Sequence, residues 1–298
     1  SISCLSRLKF ASASLPDAIK PLSSAWSTEV SNSTRSDPAF TSWPDLKLIA
    51  VSATGFNNVD VEFCREHKIA VTNVQGYSTR SVPEHVIAMT YALKRNLFGY
   101  HQDIAKGEWQ RNKQFCFFSH PITDVAGSTL GIVGSGALGQ ATAALAKAIG
   151  MQVIFAERKG AQLCRDGFVP FEQALMMSDV LTLHCPLNEQ THNLIGKQEL
   201  AMMKPSAILI NAGRGGLVDE AALVAALRQG VIAGAGVDVF TQEPADINNP
   251  LLDAMDLPNL LLTPHVAWGS DSSIQSLVDI LMDNVTAFIE GREQNRVV

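Results

Sequence analysis

The chain has 298 residues, 46% of them hydrophobic and 17% charged, with a formal net charge of -6. That is about twice the length of a common single domain, so two lobes with a deep core are expected, and the acidic balance speaks against binding a nucleic acid. Five cysteines, Cys4, Cys64, Cys116, Cys164 and Cys185, form no Cys-x-x-Cys pair, which argues against a disulfide framework and for a reducing compartment, by default the cytoplasm.

Residues 1–45 are rich in serine and show no period-two alternation. Arg7 and Lys9 precede the first acid, Asp17, a faint likeness to a transit peptide, but a partly ordered lobe edge is the plainer expectation. From Leu46 the texture changes. Leu46 to Val51 is a short buried-strand run, closed by Ser52-Ala53-Thr54-Gly55, a turn whose backbone amides can hold an anion. Glu84 to Lys94 places apolar residues at helical spacing, and after a mixed stretch the pattern becomes strand, turn, helix, several times over. Repeated βα units predict a parallel, doubly wound sheet. The uncharged stretch from Leu130 to Ala146 is broken by glycines and hydroxyl residues, so no membrane span is expected.

Thr129 to Val133 reads as a strand, followed by Gly134-Ser135-Gly136-Ala137-Leu138-Gly139 and a small-residue helix from Gln140 to Ile149. Gly134 suits the tight turn, Gly136 the close approach of backbone to a pyrophosphate, and Gly139 the packing of helix on strand, with unpaired N–H groups at the helix start. The next strand, Gln152 to Ala156, ends at Glu157, roughly twenty residues beyond the glycines, where an acid bonds a ribose 2′-hydroxyl. Glu157 would repel the 2′-phosphate of NADP, whereas Arg158 and Lys159 would attract one or else sit as a solvated loop. NAD is the expected cofactor and NADP the alternative.

Three further strands end in chemistry. Ala207 to Ile210 runs into Asn211-Ala212-Gly213-Arg214-Gly215, Ala233 to Val239 reaches Glu243, and Asn259 to Thr263 reaches His265. Ligands of open α/β sheets bind at such ends. Alone, Arg214 reads equally as a surface turn residue, and His265 more readily as a structural histidine. Together they meet three needs of ketone reduction: a cation for a substrate carboxylate, a proton donor, and a group that keeps the donor protonated and oriented. The remaining histidines, His67, His85, His101, His120, His184 and His192, show no metal-ligand spacing, and no metal is implied.

These motifs resemble the D-isomer-specific 2-hydroxyacid dehydrogenase family, through Gly134 to Gly139, Asn211 to Gly215, Asp238 to Pro244 and Thr263 to Trp268. Within it, Ala53 to Asp60, Ser81 to His85, Lys113 to Cys116 and Pro121 to Asp124 are most similar to bacterial glycerate dehydrogenases, also called hydroxypyruvate reductases. The resemblance implies a Rossmann NAD-binding domain, residues 96–269, inserted into a smaller flavodoxin-like substrate domain, residues 1–95 and 270–298, with the active site in the interlobe cleft and a homodimer formed through the nucleotide lobe. It implies that Arg214 grips the substrate carboxylate, that His265 is the acid/base and that Glu243 pairs with it, while Thr54 and Gly55 offer amides to the carboxylate. It also implies that Gly134, Gly136, Ala137, Leu138, Gly139, Glu157, Cys185, Pro186, Thr191 and Ala212 line the cofactor, and that Asp238 faces the nicotinamide carboxamide. The substrate so implied is a small 2-keto acid, first hydroxypyruvate with D-glycerate, with glyoxylate or another short keto acid as the alternative.

Related formate dehydrogenases carry glutamine beside the histidine, so Glu243 points to hydroxy acids. Phosphoglycerate dehydrogenases commonly continue past the catalytic core, whereas here the last helix, Ser272 to Glu290, is followed closely by Val298, so a plain two-lobe enzyme is expected. The family opens with a βα unit that residues 1–45 do not visibly match, which keeps open a second reading, an NAD(H)-sensing binding protein with weak turnover.

Overall fold

The computed structural model describes residues 46–56 and 58–298. The expectations for residues 1–45 lie outside the described residues. Two compact units result, one ending at Gln75 and resuming at Gln275, the other running from Gly76 to Ile274.

The larger unit is built on seven parallel strands, β3 (Thr129–Val133), β4 (Gln152–Ala156), β5 (Phe168–Val169), β6 (Val180–Leu183), β7 (Ile208–Asn211), β8 (Gly234–Val237) and β9 (Leu260–Leu262), in the order β5-β4-β3-β6-β7-β8-β9. The chain steps outward from β3 in one direction, then returns to pair β6 on its other side, so the strand order reverses between β3 and β6. Strands β6, β7 and β8 are buried at every position, as a sheet covered on both faces requires. Alternate residues of one strand go to opposite cores. Ile208 and Ile210 join the layer holding Val82, Val86 and Met89 of α2 (Ser81–Lys94) and Ala143 and Ala146 of α5 (Ala137–Ala148). Leu209 joins Leu181 and Leu183 under α6 (Phe171–Met177), α7 (Lys197–Met202) and α8 (Glu220–Arg228).

Helix α2 begins three residues before the apolar period shows, and its apolar face lies on the large sheet. For that reason the division falls at Gln75 rather than near residue 95. The mixed stretch after it is also helical, as α3 (Leu97–Ala105) and α4 (Glu108–Asn112), set off by left-handed residues at Asn96, Gly107 and Lys113.

In the smaller unit, β1 (Leu48–Ala50) and β2 (Ala70–Thr72) pair in parallel across α1 (Val61–Glu66), whose Asp60 side chain accepts from the Phe63 N–H to cap it. Cys64, Ile69 and Val71 form its core, packed by Ile49, Phe63, Val297 and Val298. The chain end runs along β2: Val71 N donates to Val298 O at 3.0 Å, and Val297 N to Val71 O at 2.7 Å. Helix α9 (Asp271–Ile289) continues from the larger unit into this one, where the Asn284 side chain donates to Asn73 O at 2.9 Å.

Candidate active site

The strand reversal leaves a crevice at the C-terminal ends of β3 and β6, the place where doubly wound sheets take ligands. Gly134 sits there with φ +107°, and a side chain on it would strike the backbone of His184 and Cys185 at 2.6 Å, so only glycine makes this turn. A Cβ on Gly139 would overlap the Gly134 carbonyl oxygen, which fixes how closely α5 lies on β3. Gly136, by contrast, faces open space and caps α5 with no side-chain hydrogen bond. The first-turn amides, those of Ala137 and Leu138 among them, are therefore left for a ligand, and a pyrophosphate fits both the room and the charge.

Across the crevice, the segment after β6 is held in shape from within. Thr191 Oγ1 donates to Pro186 O at 2.7 Å and accepts from Asn188 N at 2.8 Å, closing the 186–191 loop. Burial pushes the Cys185 thiol up to about 11, so it is a neutral wall rather than a nucleophile. Burial also pushes His184 down to about 4, keeping that imidazole neutral. Ala212 lies buried at the end of β7, in the loop that presents Arg214.

Glu157 does lie just past β4, but it is not free. Arg165 grips it with Nε on Oε2 at 2.7 Å and Nη2 on Oε1 at 2.8 Å, while the N–H groups of Arg158 and Arg165 donate to the same two oxygens. The Arg165 fork, then the Arg158 amide, hold this carboxyl down at about 2 against the opposing effect of burial. Lys159 turns away to pair with Glu199 at 2.8 Å. Arg165 was missed from the sequence because it stands eight positions past the acid it binds, beyond the two basic neighbours weighed there.

The groups expected to do chemistry converge in the larger unit. His265 Nδ1 stands 2.6 Å from Glu243 Oε2, and Glu243 Oε1 accepts from the Phe240 N–H at 2.9 Å. Burial raises the Glu243 pKa, but the bonds from His265 and Phe240, with the charges of His265 and Arg214, outweigh it and leave the carboxyl below its ordinary value. Arg214 spends one donor, Nη1 on Gly213 O at 2.8 Å, and has no other side-chain partner among the described residues. Its carbonyl accepts from Asn211 Nδ2 at 3.0 Å, which sets the turn. The charge of Arg214 also reaches Tyr77, a residue that no motif had flagged, whose ring packs edge-on against Trp268.

Asp238 directly follows β8. It is completely buried, and both carboxylate oxygens are turned into the histidine loop: Oδ1 accepts from Thr263 Oγ1 at 2.5 Å and Val266 N at 2.9 Å, Oδ2 from Ala267 N at 3.0 Å. Its carbonyl accepts from His265 N at 2.7 Å. The Asp238 carboxylate moulds the loop on which His265 stands with φ +54°. His85 reaches the same cluster, Nε2 lying 3.1 Å from Thr263 Oγ1.

In the smaller unit, Thr54 Oγ1 donates to Val74 O at 2.9 Å and Thr54 O accepts from Asn73 Nδ2 at 2.8 Å. The N–H groups of Thr54 and Gly55 carry no hydrogen bond among the described residues.

A glycine-turned crevice beside strand ends that gather arginine, glutamate and histidine belongs to a nicotinamide-dependent oxidoreductase. Comparison with known proteins makes the class narrower. Residues 87–267 match the NAD-binding domain of D-isomer specific 2-hydroxyacid dehydrogenases. The chain is 52% identical over 254 residues to a glycerate dehydrogenase of Methylorubrum extorquens, covering 85% of this chain and 79% of that protein. It is 37% identical over 263 residues to a hydroxypyruvate reductase of Blautia hydrogenotrophica, covering 87% and 80%. Among solved structures, D-lactate dehydrogenase with NAD+ from Lactobacillus jensenii superposes with a TM-score of 0.76 at 29% identity, covering 89% of this chain and 82% of that one. The chain belongs to the D-isomer specific 2-hydroxyacid dehydrogenase family, and NAD is its cofactor.

Proposed function

We propose that the protein interconverts hydroxypyruvate and D-glycerate, with His265 as acid/base, Glu243 as its charged partner and Arg214 as the carboxylate clamp. The observation that carries this reading is the 2.6 Å pair of His265 and Glu243 within reach of the Arg214 charge, beside the glycine crevice. The nucleotide, when bound, supplies or accepts the hydride; the residues do the rest. The unspent donors of Arg214 suit a two-oxygen carboxylate and so orient the neighbouring keto carbon. With Nδ1 committed to Glu243, the proton for the keto oxygen comes from His265 Nε2. Glu243 stabilises the imidazolium needed for that transfer, and its own low value keeps it ionised through neutral pH. We further assign an anion-binding role to Thr54 and Gly55 on the strength of N–H groups that carry no hydrogen bond among the described residues. The choice of hydroxypyruvate is supported by the names of the two relatives and is tested by comparing kcat/KM for hydroxypyruvate, glyoxylate, pyruvate and 3-phosphohydroxypyruvate with NADH. A clear preference for glyoxylate would replace the substrate, and no turnover with tight NADH binding would favour the sensor reading.

Glu243→Gln leaves the shape of the site but removes its negative charge. In the wild type the ion pair persists as pH falls until Glu243 itself takes a proton, below the ordinary carboxylate range. In the variant the imidazolium loses its partner at every pH, so the alkaline limb of keto-acid reduction should move to lower pH while KM changes less than twofold to threefold or so. An unmoved pH profile would remove Glu243 from this role.

A homodimer through the larger unit is also proposed. Leu97, Phe98, Ile104 and Trp109 of α3 and α4 are exposed, and so are Phe115, 95% open, and Phe118, 78% open, in the loop that follows. An apolar face of this kind is the usual mark of a protein interface. Light scattering should give twice the 32.1 kDa chain mass, falling to one chain for Phe115→Asp with Phe118→Asp. Among the described residues no helix is long and apolar enough to cross a membrane. Cys64, Cys116, Cys164 and Cys185 are all unpaired, which supports placing the protein in the cytoplasm.

A further inference from the structure

We infer that Arg165 decides between the 2′-hydroxyl and the 2′-phosphate of the nucleotide, competing with the ribose for Glu157 and offering a cation to the phosphate. The inference rests on the dinucleotide-site reading but not on any keto-acid substrate. A carboxylate has about four lone-pair positions for donors. On Glu157 all four are taken, two by the Arg165 fork and one each by the N–H groups of Arg158 and Arg165, and the residue is only 5% exposed. A ribose diol therefore reaches this carboxylate by displacing the Arg165 side chain.

That side chain is placed to move or to bind. It is half exposed, and its guanidinium lies over the Phe168 ring with its carbon 3.9 Å from the ring centre, a cation–π contact. Of its five N–H donors, two are given to Glu157, and the remaining three have no partner among the described residues. Arg158, the residue after Glu157, is exposed and its guanidinium is likewise without a partner among the described residues, whereas Lys159 is held by Glu199. A phosphate on the 2′-oxygen meets a neutralised carboxylate flanked by two arginines, rather than the lone negative charge that an acid after the second strand ordinarily presents. The low value of Glu157 agrees with this neutralised state, because the carboxylate is charged and compensated throughout the working pH range.

The test is equilibrium binding to the full chain, read by protein fluorescence or calorimetry with no keto acid present. NADH and NADPH are compared, and adenosine 2′,5′-bisphosphate is compared with AMP to isolate the 2′-phosphate from the nicotinamide end. The wild type should bind both reduced nucleotides with dissociation constants within about tenfold of one another. Arg165→Ala should raise the NADPH-to-NADH ratio of dissociation constants by about tenfold or more, by weakening NADPH and freeing Glu157 for NADH, and the bisphosphate-to-AMP ratio should follow. Arg165→Lys keeps the charge without the fork and should keep the wild-type ratio to within a few-fold, with a thermal melt alongside to show that each variant is folded. Equal changes for both nucleotides in Arg165→Ala, or a lysine variant that behaves like the alanine one, would overturn the inference and leave Arg165 as a structural partner of Glu157.

Discussion

Replacing His265 by asparagine is expected to lower kcat for keto-acid reduction by about 10²–10⁴-fold while leaving the dissociation constant for NADH within about twofold. Asparagine is the appropriate replacement because residue 265 stands at φ +54°, a backbone state that asparagine tolerates, and its amide can still donate to Glu243. What it cannot do is carry a proton to the substrate oxygen. Three of its neighbours are poorly placed to take over that task. Glu243 is held ionised by the His265 bond, the Phe240 amide and the Arg214 charge, Asp238 is sealed beneath the loop, and the Tyr77 hydroxyl is pushed above its ordinary range by burial, which outweighs the opposing pull of Arg214. A folded His265→Asn protein that keeps kcat within about threefold of wild type would mean that the proton comes from elsewhere, and the assignment of the pair would fall.

Arg214→Ala is expected to raise KM for the keto acid and to lower kcat with it, for a combined loss of about 10²–10⁴ in kcat/KM. That range follows from two charge-assisted hydrogen bonds at about 1.5–3 kcal/mol each. Both parameters should move because the proposed clamp would both hold the substrate and orient it. Free Nε and Nη2 groups are the atoms on which this rests, since Nη1 is already spent on Gly213 O. The loss of the Arg214 charge also removes one of the influences that keep Glu243 low, so the variant's pH profile should shift on the acid side as well. An unchanged KM would show that the carboxylate is held by other donors.

Much of the larger unit was readable in the chain because its signals are local. A glycine whose neighbour leaves no room, as at Gly134, and strands with inward-facing residues on both faces, as in β7, leave their mark within a few positions. The same holds for the three strand ends that carry Arg214, Glu243 and His265. The site's supporting contacts left no such mark. Arg165 meets Glu157 through a loop between β4 and β5, Asp238 closes on residues 25 to 29 positions away, and His85 reaches Thr263 across 178 positions. Periodicity and motif spacing carry no information about contacts of that range, which follow from which strand lies beside which. Helices α3 and α4 escaped for another reason: they are short, nine and five residues, and are interrupted by left-handed residues at Asn96, Gly107 and Lys113, so the helical period has few turns in which to show.

The outermost strands of the large sheet are its shortest: β5 has two residues and β9 three, while β3 and β4 inside it have five each. A parallel sheet with long open margins invites further strands from other molecules, which is a route to aggregates and fibrils. Here each margin offers too few free backbone groups to template such growth. Strand-to-strand addition at these two margins is thereby disfavoured.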